Sequence, residues 1–176
     1  MRALKDIHVS TAPGIRTRGV LRAGPLAWPV ALGRGGILAN KREGDGGTPR
    51  GTFRPVRLWW RADRNPRPAT QLPVRRITAI DAWCEDPADR RYNRPIKARA
   101  GQAGDRLRRA DHLYDFIIEI DHNTRPRIAG RGSAVFLHLA KPGLAPTAGC
   151  VAMPRTRLWQ LLKNLGPGTA INIGQR

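Results

Sequence analysis

Serine and cysteine are both close to absent, with two of each in 176 residues. The two cysteines, Cys84 and Cys150, are far apart, and the four histidines (His8, His112, His122 and His138) are scattered. A structural zinc site draws about four ligands, usually from close-set pairs, so no metal site is expected. A Cys84–Cys150 disulfide stays open at this level and would occupy both thiols. Aromatic residues make up only 6% of the chain, too few for a platform that stacks single-stranded bases. No apolar run approaches the roughly 20 residues of a membrane-spanning helix. The opening MRALKDIHVSTAPGIRTRG also lacks the apolar stretch and small-residue cleavage site of a secretory signal. Acids are scarce as well: 13 Asp and Glu face 32 Lys and Arg, for a net charge of +19. The basic residues are spread along the chain, with no block of five like charges. That distribution argues against a dedicated nucleic-acid site and suits looser affinity for a polyanion such as an anionic wall polymer.

What is plentiful is punctuation. Fifteen prolines and nineteen glycines point to many turns and few long helices. DIHVS, GVLRA, AWPVAL and TFRPVRLWW are strand-sized apolar runs separated by Gly or Pro. Between the last two lies ANKREGDGGTPRGTF, read as a loop. Its Gly46-to-Gly51 spacing imitates a phosphate-binding loop, but Thr52 stands where Lys is required and no helix pattern follows. Residues 61–110 read as irregular, and a short helix is predicted around DRLRRADHLY. YDFIIEID, a turn at HNTRP and SAVFLHLA read as a hairpin. The clearest helix is PRTRLWQLLKNLGPG, where Leu158, Leu161, Leu162 and Leu165 form one apolar stripe. Pro154 stands at its start, Gly166 at its C-cap, and a strand, TAINIG, follows. The fold class expected is mostly β, with one clear helix near the C-terminus and a few short ones. A single domain over 1–176 is expected.

Chemistry concentrates at FLHLAKPGLAPTAGCVAM, residues 136–153. Cys150 can be a small inert core residue, as free cysteines often are. A nucleophilic thiol needs a base and donors for the developing oxyanion. Gly149 removes a side chain just before Cys150, so nearby backbone N–H groups are free to converge on one spot. Strand alternation places Val135, Leu137 and Leu139 on one face and Ala134, Phe136, His138 and Ala140 on the other. The loop KPGLAPTAG is long enough to return Cys150 to His138. The other histidines have duller readings: a strand, a polar helix face and a hairpin turn.

In order, His138, Thr147-Ala148-Gly149-Cys150 and Val151 resemble the catalytic motif of the L,D-transpeptidase family with its YkuD-type domain. Thr48-Pro49-Arg50-Gly51-Thr52-Phe53 is similar to that family's upstream turn, and GTAINIG to its final strand, so the resemblance covers residues 38–174. It implies a YkuD-like β-sandwich or open barrel. It also implies acyl transfer on peptidoglycan, with stem peptides as donor and acceptor, no cofactor, and carbapenems as inhibitors. Cys150 is then the nucleophile, His138 the base and acid, and Gly149 part of the oxyanion site. Thr147, Ala148, Trp83, Tyr92 and Asn93 are candidates for substrate contact. Ala148, Leu139 and Ala152 replace the His, Gly and Arg of many relatives, and the His-to-Cys spacing is shorter, which marks a divergent branch. The differences bear on the acceptor and crosslink more than on the nucleophile. The substrate class implies the periplasm or cell envelope, with the cytoplasm as the alternative, and a monomer without a membrane span. Hydrolysis by the same thiol, as a peptidoglycan peptidase or amidase, is one competing function. A basic polyanion-binding module with an inert Cys150 is another.

Overall fold

The structure is a computed structural model and describes residues 3–175. Its strands, in chain order, are β1 (Asp6–Ala12), β2 (Ile15–Ala23), β3 (Leu26–Ala31), β4 (Ile37–Leu38), β5 (Thr48–Pro49), β6 (Gly51–Phe53) and β7 (Pro55–Trp60). There follow β8 (Val74–Arg76), β9 (Asp81–Trp83), β10 (Pro95–Lys97), β11 (Asp105–Arg106), β12 (Phe116–Ile120), β13 (Phe136–Leu139), β14 (Val151–Met153) and β15 (Ala170–Ile173). The one α-helix of the described residues, α1, spans Arg155–Asn164. A short 3-10 turn covers Pro142–Leu144.

Ten strands form one open mixed sheet in the order β6-β15-β1-β2-β3-β14-β13-β12-β7-β8. Its two halves and α1 share a single core containing Ile7, Val30, Leu58, Ile118, Leu137, Met153 and Leu161. The sheet therefore wraps around the helix, matching the mostly-β expectation. In α1, Leu158, Leu161 and Leu162 are fully buried, as their spacing predicts. Leu161→Ala leaves a cavity in that shared core. A loss of about 2–5 kcal/mol in chemical denaturation is expected.

The helix end differs from expectation. The C-cap is Leu165, in extended conformation, and its N–H bonds back to the Leu162 carbonyl. Gly166 matters for space instead: a Cβ there would lie 2.9 Å from Ala3 Cβ. The second predicted helix does not form. Asp105 and Arg106 pair with β9, and Leu107 N–H donates to the Asp81 carbonyl at 3.0 Å. Arg106 binds the carbonyls of Ala98 and Arg99. Leu107 is the only fully buried residue before Tyr114 in that segment, so no helical stripe exists to bury.

The expected 39–53 loop also contains structure: β5 pairs with β4, and β6 pairs with β15. The predicted hairpin pairs as read, with Ile117 opposite His138 and Glu119 opposite Phe136. Its connection, residues 121–135, is a long loop organised by Asn123, whose amide holds Ile128 and Gly132.

Candidate active site

β13 and β14 lie side by side and parallel, with Leu137 opposite Val151, His138 opposite Ala152 and Leu139 opposite Met153. Leu137, Leu139, Val151 and Met153 enter the main core. Because side chains alternate across a strand, the opposite face carries Phe136, His138, Cys150 and Ala152. Cys150 and Phe136 belong to a second cluster with Trp59, Trp83 and Tyr114. His138 and Cys150 are thus diagonal neighbours on one face of adjacent strands.

The turn before Cys150 is tightly specified. Thr147 Oγ1 donates to the Cys150 carbonyl at 2.6 Å and accepts Gly149 N–H at 3.1 Å. Gly149 has φ +147, and a Cβ on it would meet the Gly47 carbonyl oxygen at 2.8 Å. That backbone approach is held from the other side. Asp45 accepts Arg42 and Gly47 N–H, each at 2.7 Å, and binds the Lys41 ammonium. Buried Thr48 accepts Gly33 N–H at 2.9 Å. The Gly-rich loop therefore acts as a scaffold for the cysteine turn.

Both Cys84 and Cys150 are free thiols, so the disulfide does not form. Cys150 Sγ accepts Phe136 N–H at 3.3 Å and donates to the Ala134 carbonyl at 3.2 Å. Burial pushes its thiol up to about 12, with Asp105 and Glu85 adding to the rise and Phe136 N–H opposing it. His138 Nδ1 is 2.8 Å from the Leu139 carbonyl, a contact that requires the proton on Nδ1 and leaves Nε2 with its lone pair. Burial lowers this imidazole to about 4; the Leu139 contact opposes, and Arg109 and Lys141 add to the fall. Tyr114 packs its ring edge-on against His138 at 5.2 Å and donates its hydroxyl to Asp105 at 2.7 Å. Both shifts favour neutral forms, so the resting pair is thiol and imidazole.

Two cavities share Cys150, Ala148, Arg109 and Tyr114. One, of about 170 Å³, also contains His138, Lys141 and Thr147. The other, of about 370 Å³, contains Lys41, Glu43, Glu85, Asp105 and Gly149. Residues 14–173 match the YkuD family, the L,D-transpeptidase catalytic domain. This chain belongs to that family. No curated protein and no solved structure matches it.

In this YkuD domain, Cys150, His138, Thr147, Ala148 and Gly149 come together around the two cavities. Trp83, Tyr92 and Asn93 are drawn behind them. Trp83 Nε1 donates to Asn93 Oδ1 at 2.9 Å, and the Asn93 amide donates to the carbonyls of His122 and Asn123. The Tyr92 hydroxyl binds Glu43, which also accepts Ser133 Oγ–H at 2.8 Å. All three side chains are buried, and none lines either cavity at Cys150. His8, His112 and His122 contact Asp6, Asp115 and the Arg131 carbonyl respectively. Arg109, Tyr114 and Lys141 were not singled out by the sequence, where they resemble ordinary basic or strand residues. A faint signal exists for Lys141 alone: it stands three residues after His138 and before Pro142. Among the described residues, no cluster of potential metal ligands occurs, and no helix is long and apolar enough to cross a membrane.

Proposed function

We propose that this chain is a peptidoglycan L,D-transpeptidase acting through a Cys150 thioester, as one catalytic unit in the cell envelope. The observation that carries the reading is the shared cavity of Cys150 and His138, with the imidazole fixed through Nδ1. In this scheme Cys150 Sγ attacks the carbonyl of a stem-peptide L-centre as its proton passes to His138 Nε2. Cys150 N–H stabilises the oxyanion, because Gly149 N–H is already committed to Thr147. Gly149 acts by allowing the turn. As the intermediate collapses, His138 protonates the departing amine and a thioester remains. An acceptor amine then attacks the thioester, His138 takes its proton, and the thiol is restored with a new amide crosslink. The scheme needs no metal or organic cofactor. Thr147 and Ala148 contact substrate at the cavity wall, while Trp83, Tyr92 and Asn93 support the wall from behind.

The test is intact-mass analysis after incubation with a carbapenem, followed by product analysis with tetrapeptide muropeptides. An adduct on the wild-type protein that disappears in Cys150→Ala is expected, as are dimeric muropeptides. Shortened monomers without dimers would instead make the protein a thiol hydrolase. Dimer formation retained by Cys150→Ala would sink the nucleophile assignment.

A further inference from the structure

The two cavities at Cys150 differ in charge. The larger one carries three carboxylates, Glu43, Glu85 and Asp105, beside its basic residues. The smaller one carries none: its charged lining is Arg109 and Lys141. His138 lines only the smaller cavity. This asymmetry matters for the departing group, an inference that rests on the transpeptidase reading above. The amine expelled from Cys150 takes its proton from His138, so it leaves through the smaller, cationic cavity. In a C-terminal residue, one carbon separates that amine from a carboxylate. A departing terminal residue therefore carries a negative charge into the cavity whose lining holds Arg109 and Lys141 and no carboxylate.

The two cations are held differently. Arg109 is fixed: it binds Asp111 at 2.7 Å and lies over the Tyr114 ring at 5.1 Å. Lys141 is exposed, and its ammonium makes no hydrogen bond or salt bridge among the described residues; the carboxylate that feels its charge, Asp111, is already bound by Arg109. Its backbone, by contrast, is well placed. Ala140 N–H donates to the Met153 carbonyl at 2.9 Å, Leu144 N–H donates to the Lys141 carbonyl at 3.1 Å, and Pro142 follows directly. Arg18 clamps the Gly143 carbonyl at 2.8 Å. An unpaired ammonium on an anchored turn beside the leaving-group cavity is suited to receive an anion. We propose that Lys141, with Arg109 holding the neighbouring Asp111 away from it, binds the carboxylate of the departing residue and restricts cleavage to the last peptide bond of the donor.

The experiment compares two tetrapeptide donors that differ only in a C-terminal carboxylate or carboxamide. Acyl-enzyme formation is followed by intact mass over a range of donor concentrations. Because Lys141 reaches solvent, a preference on the order of tenfold for the carboxylate is expected, smaller than for a sealed ion pair. Lys141→Met should shrink that preference to about twofold or less through weaker binding of the carboxylate donor, and Lys141→Arg should keep most of it. Added salt should erode the wild-type preference. Equal wild-type rates with both donors would overturn this inference and leave the nucleophile intact, as would a full preference in folded Lys141→Met. Failure of the wild-type protein to acylate with either peptide would remove the transpeptidase reading and this inference together.

Discussion

His138→Gln is expected to slow acyl-enzyme formation by about 10²–10⁴-fold. The size follows from the resting state of the pair. A thiol pushed up to about 12 by burial holds almost no thiolate at neutral pH, so reaction depends on a base that removes the proton during attack. In the proposed scheme His138 Nε2 is that base, because Nδ1 is occupied by the Leu139 carbonyl and both side chains line one cavity. The thiol must turn from the Ala134 carbonyl to reach it. The same burial that lowers His138 to about 4 keeps it unprotonated through the mildly acidic range. The wild-type rate should therefore fall only as the pH drops through about 4, below the ordinary histidine range near 6.5. Stability moves in the same direction. The unfolded chain binds a proton at His138 more readily than the folded one, so stability present above about 6.5 is lost as the pH falls towards 4. The histidine's share is up to about 3 kcal/mol. Circular dichroism at each pH separates unfolding from loss of the base. Acylation by His138→Gln within tenfold of wild type, or an acid limb near 6.5 in folded protein, would assign the base to another group.

These expectations rest on residues that sequence reading reaches unevenly. The strand bearing His138 was legible because alternation of small, aromatic and aliphatic residues in SAVFLHLA has one consistent two-face solution. The helix was legible for a similar reason, since Leu158, Leu161 and Leu162 repeat at helical spacing. The Cys150 turn was legible from its ordered motif. Other parts carry no such period. β9, β10 and β11 are two or three residues long, too short for alternation to register, and they hold together by pairing among themselves. The segment from Asp105 to Tyr114 has helix-favouring Leu and Arg, yet Arg106 and Leu107 bond to the carbonyls of Ala98, Arg99 and Asp81, and the Arg109 carbonyl is taken by Arg61 and Arg64. Trp83, Tyr92 and Asn93 show the converse. An aromatic and amide cluster in a Pro-rich loop looks the same in sequence whether it lines a groove or bonds inward. Here the indole, phenol and amide all find buried partners.

The charged cavity residues are hidden by a different circumstance. In a chain with 27 arginines, most of them surface residues, neither Arg109 nor Lys141 stands out by type. Only the fold, by bringing the turn after β13 against the segment after β11, gives these two cations a common cavity with His138. The scaffold is legible where side chains repeat, and the site is hidden where residues of ordinary type converge.

Convergence also makes the site brittle at two glycines, and Gly33→Ala is expected to destabilise the protein by about 3–5 kcal/mol, with Gly149→Ala close behind. A Cβ on Gly33 would lie 2.1 Å from the Gly46 carbonyl oxygen and 3.0 Å from Gly149 Cα. Both obstacles are backbone atoms, which cannot swing aside as a side chain would. Moving them breaks the contacts that hold this layer: Gly35 N–H to Gly46 O at 3.0 Å, Thr147 N–H to Leu32 O at 3.0 Å and Arg34 N–H to Thr147 O at 3.0 Å. Gly149→Ala meets the Gly47 carbonyl oxygen at 2.8 Å and adds the strain of φ +147. Gly101 is the control, since its φ is +81 but nothing lies within 4 Å of an added Cβ. Gly101→Ala should therefore cost only about 1 kcal/mol of conformational strain. For a domain of this size the control should melt about 2–4 °C lower and Gly33→Ala about 10–15 °C lower. Because Thr147 and Gly149 set the position of Cys150, both site variants should also lose acylation below their melting points, while Gly101→Ala keeps it. A Gly33→Ala protein that melts no lower than Gly101→Ala would show that the Gly-rich loop does not press on the cysteine turn.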